Sequence, residues 1–258
     1  MVHPSLRLAP AGYHAFVLEY RIGSECEYPN GLEDVGLAML YLREHAQEWH
    51  LDPDRIILCG LSSGGELAAG MGVKWCDPAT QRLCGLSGAG ESDTTLRPCA
   101  TVLCYPVSGA EESADSDMQR LFRGSRTQKE LAELTDVMRW TTPAAAPAFI
   151  WHTWTDGLVP MEHSLNVARA LAANDVPFEL HIYGSGPHGS ALCTPATAMG
   201  DNDRVSAHNA GWFALCLDWL RERFGDPMEP MAQAPIPGEE PRAHMGREIQ
   251  QLTTHVTL

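Results

Sequence analysis

Positive charge is scarce in this sequence. Lysine and arginine together number 18 in 258 residues against 33 aspartates and glutamates, a formal net charge of −15. A chain this acidic repels phosphate backbones and anionic lipid, which argues against nucleic acid and membrane surfaces as partners. Long apolar runs are missing too, and none reaches the roughly 18 residues that would span a bilayer. The opening stretch, MVHPSLRLAPAGYH, lacks a charged segment followed by an apolar one, so no secretory signal is expected.

The eight cysteines, at 26, 59, 76, 84, 99, 104, 193 and 216, include no C-x-x-C pair and no spacing suited to tetrahedral zinc. Cys59 in RIILCG and Cys104 in ATVLCYPV lie inside apolar runs, where a free thiol acts as a small hydrophobe. Reduced thiols and a cytoplasmic location are therefore expected. What the chain does have is apolar residue, 44% of the total, which suits a folded domain and excludes disorder throughout, a collagen-like fibre or a disulfide-stapled scaffold.

Five runs rich in β-branched, aromatic and aliphatic residues read as strands: YHAFVLEYRI (13–22), RIILCG (55–60), ATVLCYPV (100–107), AFIWHTW (148–154) and FELHIYG (178–184). They are continuous rather than alternating, as strands covered on both faces should be. Helical patterns lie between and after them at 32–49, 65–74, 163–174 and 205–224. This alternation predicts an α/β fold with a mostly parallel sheet. Residues 77–98, rich in Gly, Ser, Thr and Asp, read as a surface loop, and 108–147 as an insertion holding a short helix near 129–134. The domain is expected to end near 225, with 226–258, carrying five prolines, a loosely held tail.

The strongest local signal is Gly60-Leu61-Ser62-Ser63-Gly64, after the strand RIILC and before the helical GELAAGMGVK. A serine in a sharp strand-to-helix turn, flanked by glycine at −2 and +2 where side chains would collide, is a nucleophile elbow. Its hydroxyl then stands at a helix N-terminus, which favours developing negative charge. The similar Leu86-Ser87-Gly88 lacks the second glycine and follows no strand, so Ser87 is assigned to the loop.

A hydroxyl is a weak nucleophile near neutral pH; it needs a histidine base, and the base an orienting carboxylate. In doubly wound hydrolases these follow the serine in the order acid, then histidine, on loops at the carboxyl ends of strands. Asp156, just past AFIWHTW, fits the acid, and His188, in the glycine-rich loop after FELHIYG, fits the base. His152 and His181 fall within strand runs and read as packed core residues. His45, His50, His163 and His208 fall on helices, and His3, His14, His244 and His255 near the ends.

In AGYHAFVLEYRIG, DPDRIILCGLSSGGELAA, RPCATVLCYPV, PAFIWHTWTDGLVPMEHSLNVARAL and VPFELHIYGSGPHGSAL, the sequence resembles the α/β-hydrolase esterases of the acetyl-xylan-esterase-like, or carbohydrate acetyl esterase, type. The resemblance implies Ser62 as nucleophile, Asp156 as acid, His188 as base and the Ser63 amide as one oxyanion donor. It implies a short-chain acyl ester of a carbohydrate or similar small molecule as substrate, and no metal or organic cofactor. Trp154, beside Asp156, is a candidate for the substrate pocket.

One departure accompanies these matches. The family carries a glycine-rich oxyanion segment and a third strand ahead of its D/E-Y-R strand, whereas here Glu19-Tyr20-Arg21 comes almost at once. The domain is thus expected to be N-terminally incomplete. Either 13–22 pairs directly with 55–60, or backbone groups beside the site stay unpaired at about 1–3 kcal/mol each. A missing oxyanion donor would lower kcat by roughly 10²–10³. Two alternatives stand beside the esterase: from this departure, a truncated, weakly active or inactive hydrolase fragment, and, because its catalytic domain shares the elbow and the triad order, a serine peptidase of the prolyl-oligopeptidase type.

Overall fold

Four of the five apolar runs form the sheet, and their register brings the chemistry-bearing loops to one end. The computed structural model describes residues 4–109 and 123–227. Strands β1 (Ile57–Leu61), β2 (Ala100–Cys104), β3 (Ala148–Thr153) and β4 (Phe178–Tyr183) are parallel and lie in the order β1-β2-β3-β4. Leu61 pairs with Cys104, Cys104 with Trp151, and Thr153 with Tyr183. The segments that follow β1, β3 and β4 therefore leave the sheet at the same edge, and they carry Ser62, Asp156 and His188.

Both faces are covered, which is why the strands are apolar without alternation. On one face Val102, Cys104, Phe149 and Trp151 pack against Trp212, Cys216, Trp219 and Leu220 of helix α7 (Trp212–Phe224). Trp151 stacks on Trp212 with ring centroids 5.1 Å apart. On the other face Leu103, Ala148 and Ile150 meet Ala68, Ala69 and Val73 of α2 (Ser63–Lys74) and Val167, Ala168 and Leu171 of α6 (Glu162–Ala173). Helix α2 sits close to β2 because Gly72 leaves room: a Cβ there would lie 2.9 Å from the Thr101 methyl. Helix α1 (Asn30–Glu44) covers α2 through Leu32, Val35, Met39, Leu67 and Met71.

The segment 13–22 corrects the strand expectation. It joins no ladder, and among the described residues β1 ends the sheet on that side. The side chains of 13–22 find partners individually instead. Tyr13 packs on the α7 side, Tyr20 on the α1–α2 cluster, and Phe16 stacks on Trp49. Arg21 then pins the end of the segment to α1, bonding Asp34 and Glu33. Cys59, in the middle of β1, is left exposed.

Other boundaries moved for local reasons. Residues 77–98 are not all loop: α3 (Pro78–Leu83) begins where the Asp77 carboxylate accepts the Thr80 N–H at 2.9 Å and Pro78 presets the first turn. Helix α1 ends at Glu44, leaving His45 as its cap and His50 beyond it. The helix expected over 205–224 starts only at Trp212, because the backbone is extended at Val205 and the Ser206 N–H bonds the Cys193 carbonyl at 2.9 Å; Asn209, in a short 3-10 turn, gives its side-chain amide to the Ser185 carbonyl at 2.7 Å. Within 108–147, α4 (Gln128–Thr135) opens with a Thr127–Glu130 capping box and is followed by α5 (Val137–Trp140). The buried Lys74 ammonium ties this region to α2, donating to the Tyr28 hydroxyl and the Leu134 carbonyl and lying 3.9 Å from the centre of the Trp140 ring. The expected tail lies outside the described residues from 228 onward.

Candidate active site

The turn at Ser62 is as strained as the motif requires. Its φ of 55° and ψ of −120° lie where a non-glycine residue costs about 1–3 kcal/mol. Neighbouring backbone holds it there: the Ser62 N–H donates to the Cys104 carbonyl at 3.0 Å, and the Ser62 carbonyl accepts from Glu66 N–H at 3.2 Å. A Cβ on Gly60 would collide with the Gly64 carbonyl. The second crowded position is one residue later than the motif suggests. A Cβ on Gly64 meets nothing within 4 Å, while one on Gly65 would sit 2.9 Å from Pro106. The elbow thus packs against the start of the loop after β2.

From this turn Ser62 Oγ reaches His188 Nε2 at 2.8 Å, and His188 Nδ1 reaches Asp156 Oδ2 at 2.7 Å. The three residues singled out in the sequence therefore form one continuous hydrogen-bonded line. His188 is presented by a loop laced to the Asp156 loop, since Thr153 and Thr155 both donate to the Gly186 carbonyl and Gly186 N–H donates back to Thr155. The edge of the Tyr105 ring packs at His188, with centroids 5.0 Å apart, and the Tyr105 hydroxyl accepts the Ala191 N–H.

Asp156 is almost wholly buried, yet every lone pair it offers is used. Oδ1 accepts from the N–H groups of Leu158 and Val159, each at 2.9 Å, and Oδ2 faces His188 and, at 3.3 Å, His152 Nε2. Burial opposes its charge, but the hydrogen bonds from His152, His188 and the two backbone amides outweigh it and hold the carboxyl well below the usual carboxylate range. It is an anion in a fixed cradle.

His152 is a core residue, as its strand position suggests, but it also belongs to the site. Its Nε2 faces the Val159 carbonyl and Asp156, both acceptors only, so the proton resides on Nε2 and Nδ1 accepts from Ser164 Oγ at 2.8 Å. Its position near the end of β3, four residues before Asp156 in the loop that follows, was the available signal. His181 bonds Glu179 and stays on β4, and His163 Nδ1 accepts the Ser108 N–H. Ser87 is exposed in an irregular segment.

Ser63 opens α2, where first-turn amides have no intrahelical partner, so its N–H is available beside Ser62. The Ser63 hydroxyl lies 2.9 Å from the Tyr20 phenol, a contact with no local sequence signal. One turn along α2, Glu66 points into a narrow cavity it shares with Tyr28, Lys74, Thr135 and Trp140. Its Oε1 is buried without a hydrogen-bond partner, and burial pushes its pKa up to about 7. Trp154 is 62% exposed near Asp156. Among the described residues no group of three or more His, Cys, Asp or Glu side chains could hold a metal ion, and no helix is long and apolar enough to cross a membrane.

Comparison with known proteins supplies a family and a fold. The family model BD-FAE matches residues 2–171. Endo-1,4-beta-xylanase B of Butyrivibrio fibrisolvens is 30% identical over 185 residues, covering 69% of this chain and 28% of that protein. The chain spans 28% to 39% of the length of the first curated relatives it matches. Among solved structures, the carboxylesterase Cest-2923 from Lactobacillus plantarum WCFS1 is 31% identical with a TM-score of 0.73, covering 85% of this chain and 78% of that one. An acetyl ester-xyloside bifunctional hydrolase from Caldicellulosiruptor lactoaceticus is 31% identical with a TM-score of 0.70, covering 86% and 75%.

Proposed function

The chain belongs to the BD-FAE family and has an α/β-hydrolase fold, and from that premise we propose that it is a serine hydrolase of carboxylic esters. The observation that carries this reading is the unbroken line from Ser62 Oγ through His188 to Asp156, at 2.8 and 2.7 Å. His188 Nε2 takes the Ser62 proton as Oγ bonds to the ester carbonyl carbon. The same proton then goes to the alcohol oxygen as the C–O bond breaks, leaving an acyl-enzyme. Water, deprotonated by His188, then adds to the acyl carbon, and as the bond to Ser62 Oγ breaks the acid leaves and His188 returns the proton to Oγ. Asp156 stays ionised and keeps the His188 proton on Nδ1, so that Nε2 is free to act as base. The Ser63 N–H faces the oxygen that gains charge.

The substrate we propose is a short-chain acyl ester, acetyl above all, of a carbohydrate or similar small molecule. The likeness to an acetyl ester-xyloside hydrolase and to a xylanase supports the sugar. Trp154, exposed beside the Asp156 loop, offers a ring face for such a sugar. The acidic surface makes nucleic acid and membrane poor partners, and a cytoplasmic setting would keep the eight free thiols reduced.

The test is turnover of a short-chain aryl acetate and of an acetylated xylo-oligosaccharide by the full chain. Both should be hydrolysed, and Ser62→Ala should abolish hydrolysis while leaving cooperative thermal unfolding intact. Absence of turnover, or turnover unchanged in Ser62→Ala, overturns the reading. Cleavage of a peptide anilide in preference to either ester would make the chain a peptidase instead.

A further inference from the structure

The hydroxyls of Tyr20 and Ser63 meet at 2.9 Å beside the nucleophile. Packing does not call for this bond, since the Tyr20 ring already rests on the α1–α2 cluster and Ser63 is exposed. Tyr20 is held there by the residue after it. The Arg21 guanidinium bonds Asp34 at 2.9 Å, Glu33 at 2.6 Å and the Asn30 carbonyl at 2.8 Å, and the Arg21 N–H bonds Asp34 at 2.8 Å. These contacts fasten the segment to the first turn of α1, which packs on α2, so the phenol is fixed relative to the helix that begins at Ser63. Two hydroxyls carry two O–H donors, and their mutual bond uses one. The other remains for an outside acceptor, next to the Ser63 amide.

We infer that the Tyr20–Ser63 hydroxyl pair is a side-chain oxyanion donor, acting beside the Ser63 N–H; the inference rests on the serine-esterase reading above. When Ser62 Oγ bonds to the carbonyl carbon, the π pair moves onto the carbonyl oxygen. The spare O–H donates a hydrogen bond to that oxygen without giving up its proton, and the bond weakens again as the alcohol leaves and the carbonyl re-forms. A donor aimed at charge that exists only after attack lowers the barrier more than it tightens substrate binding.

Tyr20→Phe, Ser63→Ala and the double variant, made in the full chain, test this with a short-chain aryl ester and with a trifluoromethyl ketone, which forms a tetrahedral oxyanion on the serine. Tyr20→Phe keeps the ring and its packing. Each single variant should lower kcat by roughly 10², with KM nearly unchanged, and should weaken ketone binding by a similar factor. The double variant should lose less than the product of the two. A purely structural bond would shift thermal stability or KM and leave ketone binding in place, which overturns the inference, as does full activity in both single variants. A wild type that turns over no ester and is not labelled at Ser62 by a fluorophosphonate overturns the esterase reading itself, and this inference with it.

Discussion

His152 Nε2 lies 3.3 Å from the same Asp156 oxygen that His188 Nδ1 reaches at 2.7 Å. One carboxylate oxygen thus serves two histidines, the first fully buried and fixed by Ser164 and the Val159 carbonyl. His152→Phe would leave the Val159 carbonyl, the Ser164 hydroxyl and one Asp156 acceptor site without their partner, at about 1–3 kcal/mol for each buried group left bare. The expected result is a lower Tm together with a fall in kcat of about tenfold, roughly 1.4 kcal/mol of barrier. Thermal unfolding and steady-state kinetics measure the two effects, and an unaltered kcat in a folded variant would limit His152 to packing.

Asp156→Asn separates orientation from stability. Its folded pKa is depressed, so the stability it contributes is present above the unfolded carboxylate range, near 4, and is lost as pH falls through the lower folded value. The variant should be less stable than wild type at pH 7, with the gap closing as pH falls below about 4. At pH 7 kcat should drop by roughly 10³–10⁴, because the amide no longer holds the correct His188 tautomer. Denaturant titrations at several pH values check the first expectation and kinetics the second.

Glu66 has the opposite sign. Its carboxyl titrates near 7 in the fold instead of at its usual 4.5, so the folded state keeps the proton longer and stability falls as pH rises between those values. A shift of this size corresponds to about 3 kcal/mol. Glu66→Gln should therefore unfold at higher temperature than wild type at pH 8 and show little advantage at pH 4. An advantage that does not depend on pH would mean that Glu66 is not buried as a neutral acid.

The two glycines after the elbow give a sharp contrast. Gly64→Ala should be tolerated in both Tm and activity, since its Cβ meets open space, whereas Gly65→Ala should press on Pro106 and displace the turn. Overpacking of this kind costs about 1–3 kcal/mol. Parallel melting and ester-hydrolysis assays decide between the motif's assignment and the structure's.

Much of the site was legible because its residues are governed by local rules. Ser62 announces itself through a strand, a glycine and a helix start. Asp156 and His188 stand just past apolar runs, where a parallel sheet gathers its loops. The misses arose where a tertiary contact overrode the local pattern. The run 13–22 has the composition of a strand but takes side-chain partners on both sides of the sheet instead of a ladder. Residues 78–83 looked like loop by composition, although Asp77-Pro78 is a helix-start signal. Nothing in the sequence could place the Tyr20 phenol at Ser63, because 43 residues separate them and tertiary contacts, the Arg21 anchorage to α1 and the packing of the Tyr20 ring on the α1–α2 cluster, bring them together.

The line from Ser62 to His188 joins residues 126 apart in sequence, and its far end hangs from β4, the last strand of the sheet among the described residues. Fraying of that strand would carry His188 away while the elbow, braced by β2 and α2, kept its shape. Hydrolytic activity is thus a gauge of how firmly one margin of the sheet is fastened. In mild urea it should fade before the tryptophan emission of the interior changes, and the interval between the two transitions measures the separate tenacity of that margin.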